Sequence, residues 1–213
     1  NCIYCECGWT EVKNRSGKTF HSRNEVKANL NDSLIHLKEQ KISLDTITFA
    51  GNGEPTMHPE FAKIIDDTIE ARNKYFPNTK IAVLTNATML NRKHVVDALR
   101  KVDLKILKLD AGTEELFQKI NQPPSRRSLS WIVDHLQHFD KNLIVQSMFL
   151  KGSHKGVFID NTTDENVNAW LKLLEIIKPQ QVMLYSIDRA PAEKGLEKIP
   201  EEKLFEIAAK VNR

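Results

Sequence analysis

Three cysteines, Cys2, Cys5 and Cys7, sit within the first seven of 213 residues, and the chain has no others. A disulfide framework spreads its thiols to staple distant segments. Three thiols in six residues point instead to a soft metal centre in a reducing compartment. Cys2-Ile3-Tyr4-Cys5 is a C-x-x-C with an aromatic before the second thiol. Two ordinary readings of that spacing are a zinc knuckle and a thioredoxin-like redox pair. Zinc normally requires a second ligand pair, for which His21 is the nearby candidate. A redox C-x-x-C opens a helix after a strand, and Gly8-Trp9 argues against that placement.

The second candidate is Gly51-Asn52-Gly53-Glu54-Pro55-Thr56, which follows an apolar stretch, DTITFA. Glycines let backbone approach a ligand closely, and the Glu54 carboxylate suits an ammonium group; without Glu54 the segment reads as an ordinary turn. Other polar residues mark the ends of apolar runs: Asn86 in Thr85-Asn86-Ala87, Asp110 in Asp110-Ala111-Gly112, and the segment from Tyr185 to Arg189. Gln146 and Ser147 lie inside the apolar run LIVQSMF, where a buried amide needs a partner. His135 and His138, at i, i+3 beside Trp131, Ile132, Leu136 and Phe139, read as packing or a solvated face. Arg126-Arg127 reads as surface, whereas His154 and Lys155 are candidates for contact with substrate.

These residues are spaced by elements that alternate regularly. Strands are predicted at 45–50, 80–86, 104–110, 143–149 and 181–187. Helices are predicted around 24–38, from Pro59 through Ile69, around 94–99, on both sides of Pro123-Pro124, around 167–174 and at 201–211. Strands alternating with helices imply a parallel sheet with helical crossovers, and short Val/Ile/Leu/Phe-rich strands suit a sheet covered on both faces. The segment 151–162 reads as a long βα loop that covers something. The chain opens on cysteines and a helix, so the first strand of the pattern is expected upstream of Asn1. No composition shift marks a second domain, and residues 1–213 read as one. Net charge is only +3, which neither demands nor excludes a nucleic-acid partner. No apolar run reaches the ~18 residues of a membrane span. Asn161-Thr162-Thr163 matches a glycosylation acceptor that a cytoplasmic protein would leave unmodified.

Taken together, the motifs resemble the radical S-adenosylmethionine (SAM) superfamily, whose signature is C-x-x-x-C-x-x-C with an aromatic before the last cysteine. Cys2, Tyr4 and Cys5 match the second cysteine, the aromatic and the third cysteine; the first would lie four residues before Cys2. Gly51 to Glu54 resembles the family's G-G-E motif, with Asn52 replacing the second glycine, and Thr85-Asn86-Ala87 its T-N-G. Asp110-Ala111-Gly112, Ile120-Asn121-Gln122-Pro123 and Ile187-Asp188-Arg189 look like iron–sulfur oxidoreductases of the wybutosine-synthesis branch.

The resemblance implies an α/β fold, a partial TIM-type (βα)6 barrel whose first strand is not in this chain. It implies a [4Fe–4S] cluster on Cys2, Cys5 and an upstream cysteine, with Cys7 an extra thiol near the site. SAM would be held by Tyr4, Gly51, Asn52, Gly53, Glu54, Asn86, Asp110, Gln146 and Tyr185 at the C-terminal ends of the strands. Its reductive cleavage would give a 5′-deoxyadenosyl radical that abstracts hydrogen from a substrate. An external electron donor such as flavodoxin or ferredoxin is implied, as is a substrate that is a tRNA base, a peptide or a small metabolite. A non-catalytic iron–sulfur or zinc module is the alternative. A phosphate-binding barrel fits less well, because Glu54 would repel a phosphate.

Overall fold

The structure, a computed structural model, describes residues 2–6, 20–50, 53–123, 127–139 and 142–211. Its elements run α1 (Arg23–Glu39), β1 (Thr46–Phe49), α2 (Phe61–Tyr75), β2 (Lys80–Thr85), α3 (Lys93–Lys101) and β3 (Leu104–Lys108). They continue α4 (Glu114–Asn121), α5 (Leu129–Leu136), β4 (Ile144–Met148), β5 (Leu150–His154), β6 (Val157–Asp160), α6 (Asp164–Ile177), β7 (Gln181–Tyr185), β8 (Leu196–Lys198) and α7 (Glu201–Val211). The five expected strands form a parallel sheet in the order β1-β2-β3-β4-β7. The segments separate into two compact units. One holds Lys13–Thr85 and Met89–Ile106; the other holds Leu107–Arg213, Asn86–Thr88 and the first twelve residues.

In the first of these units, β1 and β2 pair in parallel, with Thr46 opposite Lys80 and Phe49 opposite Val83. A capping box starts α1: the Glu25 backbone N–H reaches Ser22 Oγ at 3.3 Å, and the Ser22 N–H reaches the Glu25 carboxylate at 2.7 Å. Of the apolar face expected on α1, only Leu34 is buried; Val26, Leu30 and Leu37 are half-covered. Helix α2 begins two residues later than Pro59 suggested, with Glu60 as its N-cap. It buries Phe61, Ile64 and Ile65 among a core that includes Ile81, Val83, Val95 and Leu99.

In the other unit, β4 and β7 pair in parallel, and Met148 lies opposite Tyr185 at their C-terminal ends. The segment 151–162 is no open loop. It holds most of β5 and all of β6, an antiparallel hairpin that β8 extends into a second, three-stranded sheet ordered β6-β5-β8. The reason is local. Lys155 and Gly156 both adopt positive φ, 51° and 78°, the two-residue turn that matches strand twist. Beyond it, Val157 and Phe158 are exposed and Ile159 is buried. Thr113, Ser128 and Thr163 cap α4, α5 and α6 through their side chains.

Among the described residues, no helix is long and apolar enough to cross a membrane.

Candidate functional site

Cys2 and Cys5 occupy the two ends of one tight turn, closed by a hydrogen bond from the Cys5 N–H to the Cys2 carbonyl at 3.1 Å. A four-residue turn of this kind brings its end Cα atoms within ~7 Å. The central residues anchor it. The Ile3 N–H donates to the Ile120 carbonyl at the end of α4, at 2.9 Å. Ile3 and Tyr4 are both buried in a cluster with Ile120, Met148, Leu150, Ile159 and Ile187, against which Cys2 and Tyr185 also pack. The apolar pair between the cysteines thus pins the turn to the core, with Cys2 and Cys5 themselves partly buried.

A polar network runs beneath this turn, centred on Asp110 just past the end of β3. The Tyr4 hydroxyl donates to Asp110 Oδ2 at 2.5 Å, and Asn121 Nδ2 donates to the same oxygen at 2.6 Å. The Met148 N–H donates to Asp110 Oδ1 at 2.8 Å, and Lys108 Nζ lies 3.5 Å from Oδ1. Lys108 donates to the Tyr185 hydroxyl and sits 4.7 Å from the centre of the Tyr4 ring and 4.8 Å from that of Tyr185, within cation–π range. Asn121 Nδ2 also reaches Cys2 Sγ at 3.6 Å.

Burial and the Asp110 charge push both the Cys2 thiol and the Tyr4 hydroxyl up, Tyr4 well above its usual range. Burial opposes the charge on Lys108, but Asp110 and Tyr185 outweigh it, so the amine is held above its ordinary value as a cation.

In the other unit, Glu54 caps a short 3₁₀ turn at Pro55–Met57. Its Oε1 accepts from the Thr56 N–H at 3.1 Å, the Thr56 hydroxyl at 2.5 Å and the Thr85 hydroxyl at 2.6 Å. The parallel pairing of β1 with β2 sets Thr85 beside the loop that follows β1, so the orientation of the carboxylate is fixed. Gly53 takes φ +136°, open to glycine and rare for other residues.

Gly51, Asn52 and Cys7 lie outside the described residues. Asn86 forms a turn of its own, its Oδ1 accepting from the Thr88 N–H at 3.0 Å and hydroxyl at 2.6 Å. Gln146 is half-buried in β4 and outside the Asp110 network. The bonded polar residue of that strand is its neighbour Ser147, whose hydroxyl donates to the Leu109 carbonyl and accepts from Trp170 Nε1. His154 is buried in the second sheet, paired with Glu193 at 2.5 Å.

Sequence reasoning missed two members of the network. Lys108 was signalled by a charge inside an apolar strand. Asn121 was visible only as part of a motif. His135 stacks on Trp131 with ring centres 3.7 Å apart, and the Arg127 guanidinium lies 3.9 Å from the centre of the same Trp131 ring, so this helix face is packed.

The donor set suits iron. Two soft thiols share one turn, and an amide N–H already points at one sulfur. Beside them, Asn121 Oδ1 is a buried oxygen without a partner, a mark of a site built for more than its own packing. Among the described residues no group of three or more His, Cys, Asp or Glu side chains gathers to hold a metal. Cys2 and Cys5 are two candidate thiol donors, fewer than a three-ligand set, among the described residues.

The parallel sheet with helical crossovers, and a C-x-x-C turn packed beside the ends of β4 and β7, place the chain among α/β proteins. Residues 1–174 match the family model of the Radical SAM superfamily, and the chain belongs to that superfamily. It is 32% identical over 92% of its length to a UPF0026 protein of Synechocystis, covering 69% of that protein. It is 27% identical over its full length to a UPF0026 protein of Methanocaldococcus jannaschii, of which it spans 63%. It is 28% identical over 96% of its length to a GTPase Obg of Brachyspira hyodysenteriae, of which it spans only 28%. In fold it is similar to a radical SAM methyltransferase from Sphaerobacter thermophilus, with a TM-score of 0.65 and 16% identity, covering 90% of this chain and 55% of that one.

Proposed function

We propose that this chain is the core of an enzyme that cleaves SAM reductively at a [4Fe–4S] cluster held by Cys2, Cys5 and a third thiolate from outside the described residues. The observation that carries this reading is the Cys2–Cys5 turn, with Tyr4 between the thiols locked by its hydroxyl onto Asp110. When bound, the cluster and SAM supply the chemistry that yields methionine and a hydrogen-abstracting 5′-deoxyadenosyl radical, and the protein supplies binding and orientation. Glu54 is suited to the amino group of SAM, because three hydrogen bonds fix its carboxylate after β1. Tyr4, Gly51, Asn52, Gly53, Asn86, Asp110, Gln146 and Tyr185 are the further residues assigned to the cofactor. Lys108, held as a cation between two tyrosines, supplies the positive charge that offsets Asp110 and the thiolates. The substrate belongs to one of three classes: a tRNA base, a peptide or a small metabolite. An electron donor such as flavodoxin or ferredoxin completes the reaction.

The test is anaerobic reconstitution of the full-length protein with iron and sulfide, then SAM and dithionite, with 5′-deoxyadenosine measured by chromatography. Turnover that disappears in Glu54→Gln supports the reading. A fully loaded cluster with no 5′-deoxyadenosine formed would make the chain a non-catalytic iron–sulfur module, and zinc in place of iron would make it a zinc module.

A further inference from the structure

Asn121 ends α4 at the point where the next residue, Gln122, turns into the left-handed region at φ 40°. Its side-chain nitrogen faces two acceptors of different kinds, the Asp110 carboxylate at 2.6 Å and Cys2 Sγ at 3.6 Å. Turning the amide over would set its oxygen against the Asp110 carboxylate, two acceptors facing one another. The bond to Asp110 therefore fixes which end of the amide is the nitrogen, and so which atom faces sulfur. Asp110 is itself held by the Met148 N–H and the Tyr4 hydroxyl. The amide is thus oriented by a buried network and not by its own rotamer preference. A neutral thiol gains little from such a donor. A thiolate gains more, because hydrogen bonds to an ionised acceptor are roughly twice as strong.

We infer that Asn121 is a positioning residue for the cluster, whose N–H···S bond to the Cys2 thiolate raises the cluster's reduction potential. Reduction adds negative charge that spreads onto the sulfur ligands, and a fixed donor stabilises the reduced state more than the oxidised one. Asp110 sets the direction of that donor. The inference rests on the proposed function only in taking Cys2 as a cluster ligand.

The test is a mediated redox titration of the reconstituted full-length protein, following the electron-paramagnetic-resonance signal of the reduced cluster. Wild type is compared with Asn121→Leu, which keeps the branched shape and removes the donor, and with Gln122→Leu, which disturbs the same helix end on the side facing His154. Asn121→Leu is expected to retain its iron and to make reduction about tenfold less favourable, a midpoint about 59 mV more negative for one electron. Gln122→Leu is expected to titrate with wild type. An unshifted midpoint in iron-loaded Asn121→Leu, or an equal shift in Gln122→Leu, would overturn the inference while leaving the proposed function standing. Wild type that binds no cluster would overturn both. If Asn121→Leu does not assemble, Asn121→Ala removes the same donor in a smaller side chain, and an unshifted midpoint there counts equally against it.

Discussion

The Asn161 side chain donates to the backbone carbonyl of Asp110 at 2.7 Å, so the residue at the centre of the polar network is held by its main chain as well as its carboxylate. The same amide group donates to the Met148 carbonyl at 2.8 Å and accepts from the Leu150 N–H at 2.8 Å. Asn161 thereby joins the end of β3, the end of β4 and the start of the β5–β6 hairpin. It is fully buried, so the acceptor motif Asn161-Thr162-Thr163 is closed to glycosylation in the folded chain.

Replacing Asn161 with Ala should be among the most damaging single changes. It leaves two carbonyls and one N–H buried without partners, and each such loss costs about 1–3 kcal/mol. Urea denaturation should show a loss of at least 3 kcal/mol. A loss below 1 kcal/mol would mean that water reaches these groups and that the tie matters little.

Tyr4→Phe and Asp110→Ala should differ in a diagnostic way. Tyr4→Phe removes one donor from a carboxylate that keeps three other partners, and a hydrogen bond to a charged group is worth ~1.5–3 kcal/mol. Asp110→Ala leaves the Lys108 cation buried against two aromatic rings without its carboxylate, and such an uncompensated charge costs ~3–5 kcal/mol. Denaturation midpoints of the two variants, measured side by side, check the order. Equal losses would show that Lys108 does not depend on Asp110.

Gly112→Ala should destabilise the chain for a steric reason. A Cβ at this position would stand 2.2 Å from the Trp170 backbone nitrogen and 2.4 Å from the Asn166 carbonyl oxygen. The backbone of α6 packs directly on Gly112, whose N–H also donates to Asn166 Oδ1 at 2.7 Å. Overpacking of this kind typically costs ~1–3 kcal/mol. The check is a fall in thermal midpoint for Gly112→Ala, and an unchanged midpoint would mean that the backbone of α6 gives way at no cost.

Much of this arrangement was legible beforehand, for reasons the residues themselves supply. Apolar runs such as KIAVLT and LKILK could only be covered parallel strands, and all five appear within about two residues of their expected limits. Tyr4 and Asp110 were each expected at the site, but their bond was not, because 106 residues separate them and only the folded chain brings them together. Gln146 drew attention as an amide in an apolar strand, yet Ser147 makes the buried bonds. Which of two adjacent strand residues faces inward depends on a register that sequence alone leaves undetermined. The β5–β6 hairpin was hidden because its turn, Lys155-Gly156, lacks the Asn-Gly or Asp-Gly pair that signals such turns most strongly.

Asp67 provides a pH-dependent prediction away from the cluster. Its carboxylate is buried on α2, with Arg23 Nε at 2.6 Å and Lys27 Nζ at 3.0 Å, both from α1. Hydrogen bonding to the Arg23 guanidinium outweighs the opposing cost of burial, Lys27 adds to it, and the carboxyl is held down to about 2. The folded value lies below the unfolded one, near 3.8. The stabilisation is therefore fully present above about pH 5 and is lost as pH falls through 4 toward 2. Because Arg23 and Lys27 are partly exposed, its size is reduced by solvent to about 1–2 kcal/mol. Wild type should exceed Asp67→Asn in urea midpoint at pH 7 at low salt, with the gap narrowing steadily below pH 5. A gap that stays constant down to the lowest pH at which both variants fold would show that Asp67 contributes through packing and neutral hydrogen bonds, not through its charge.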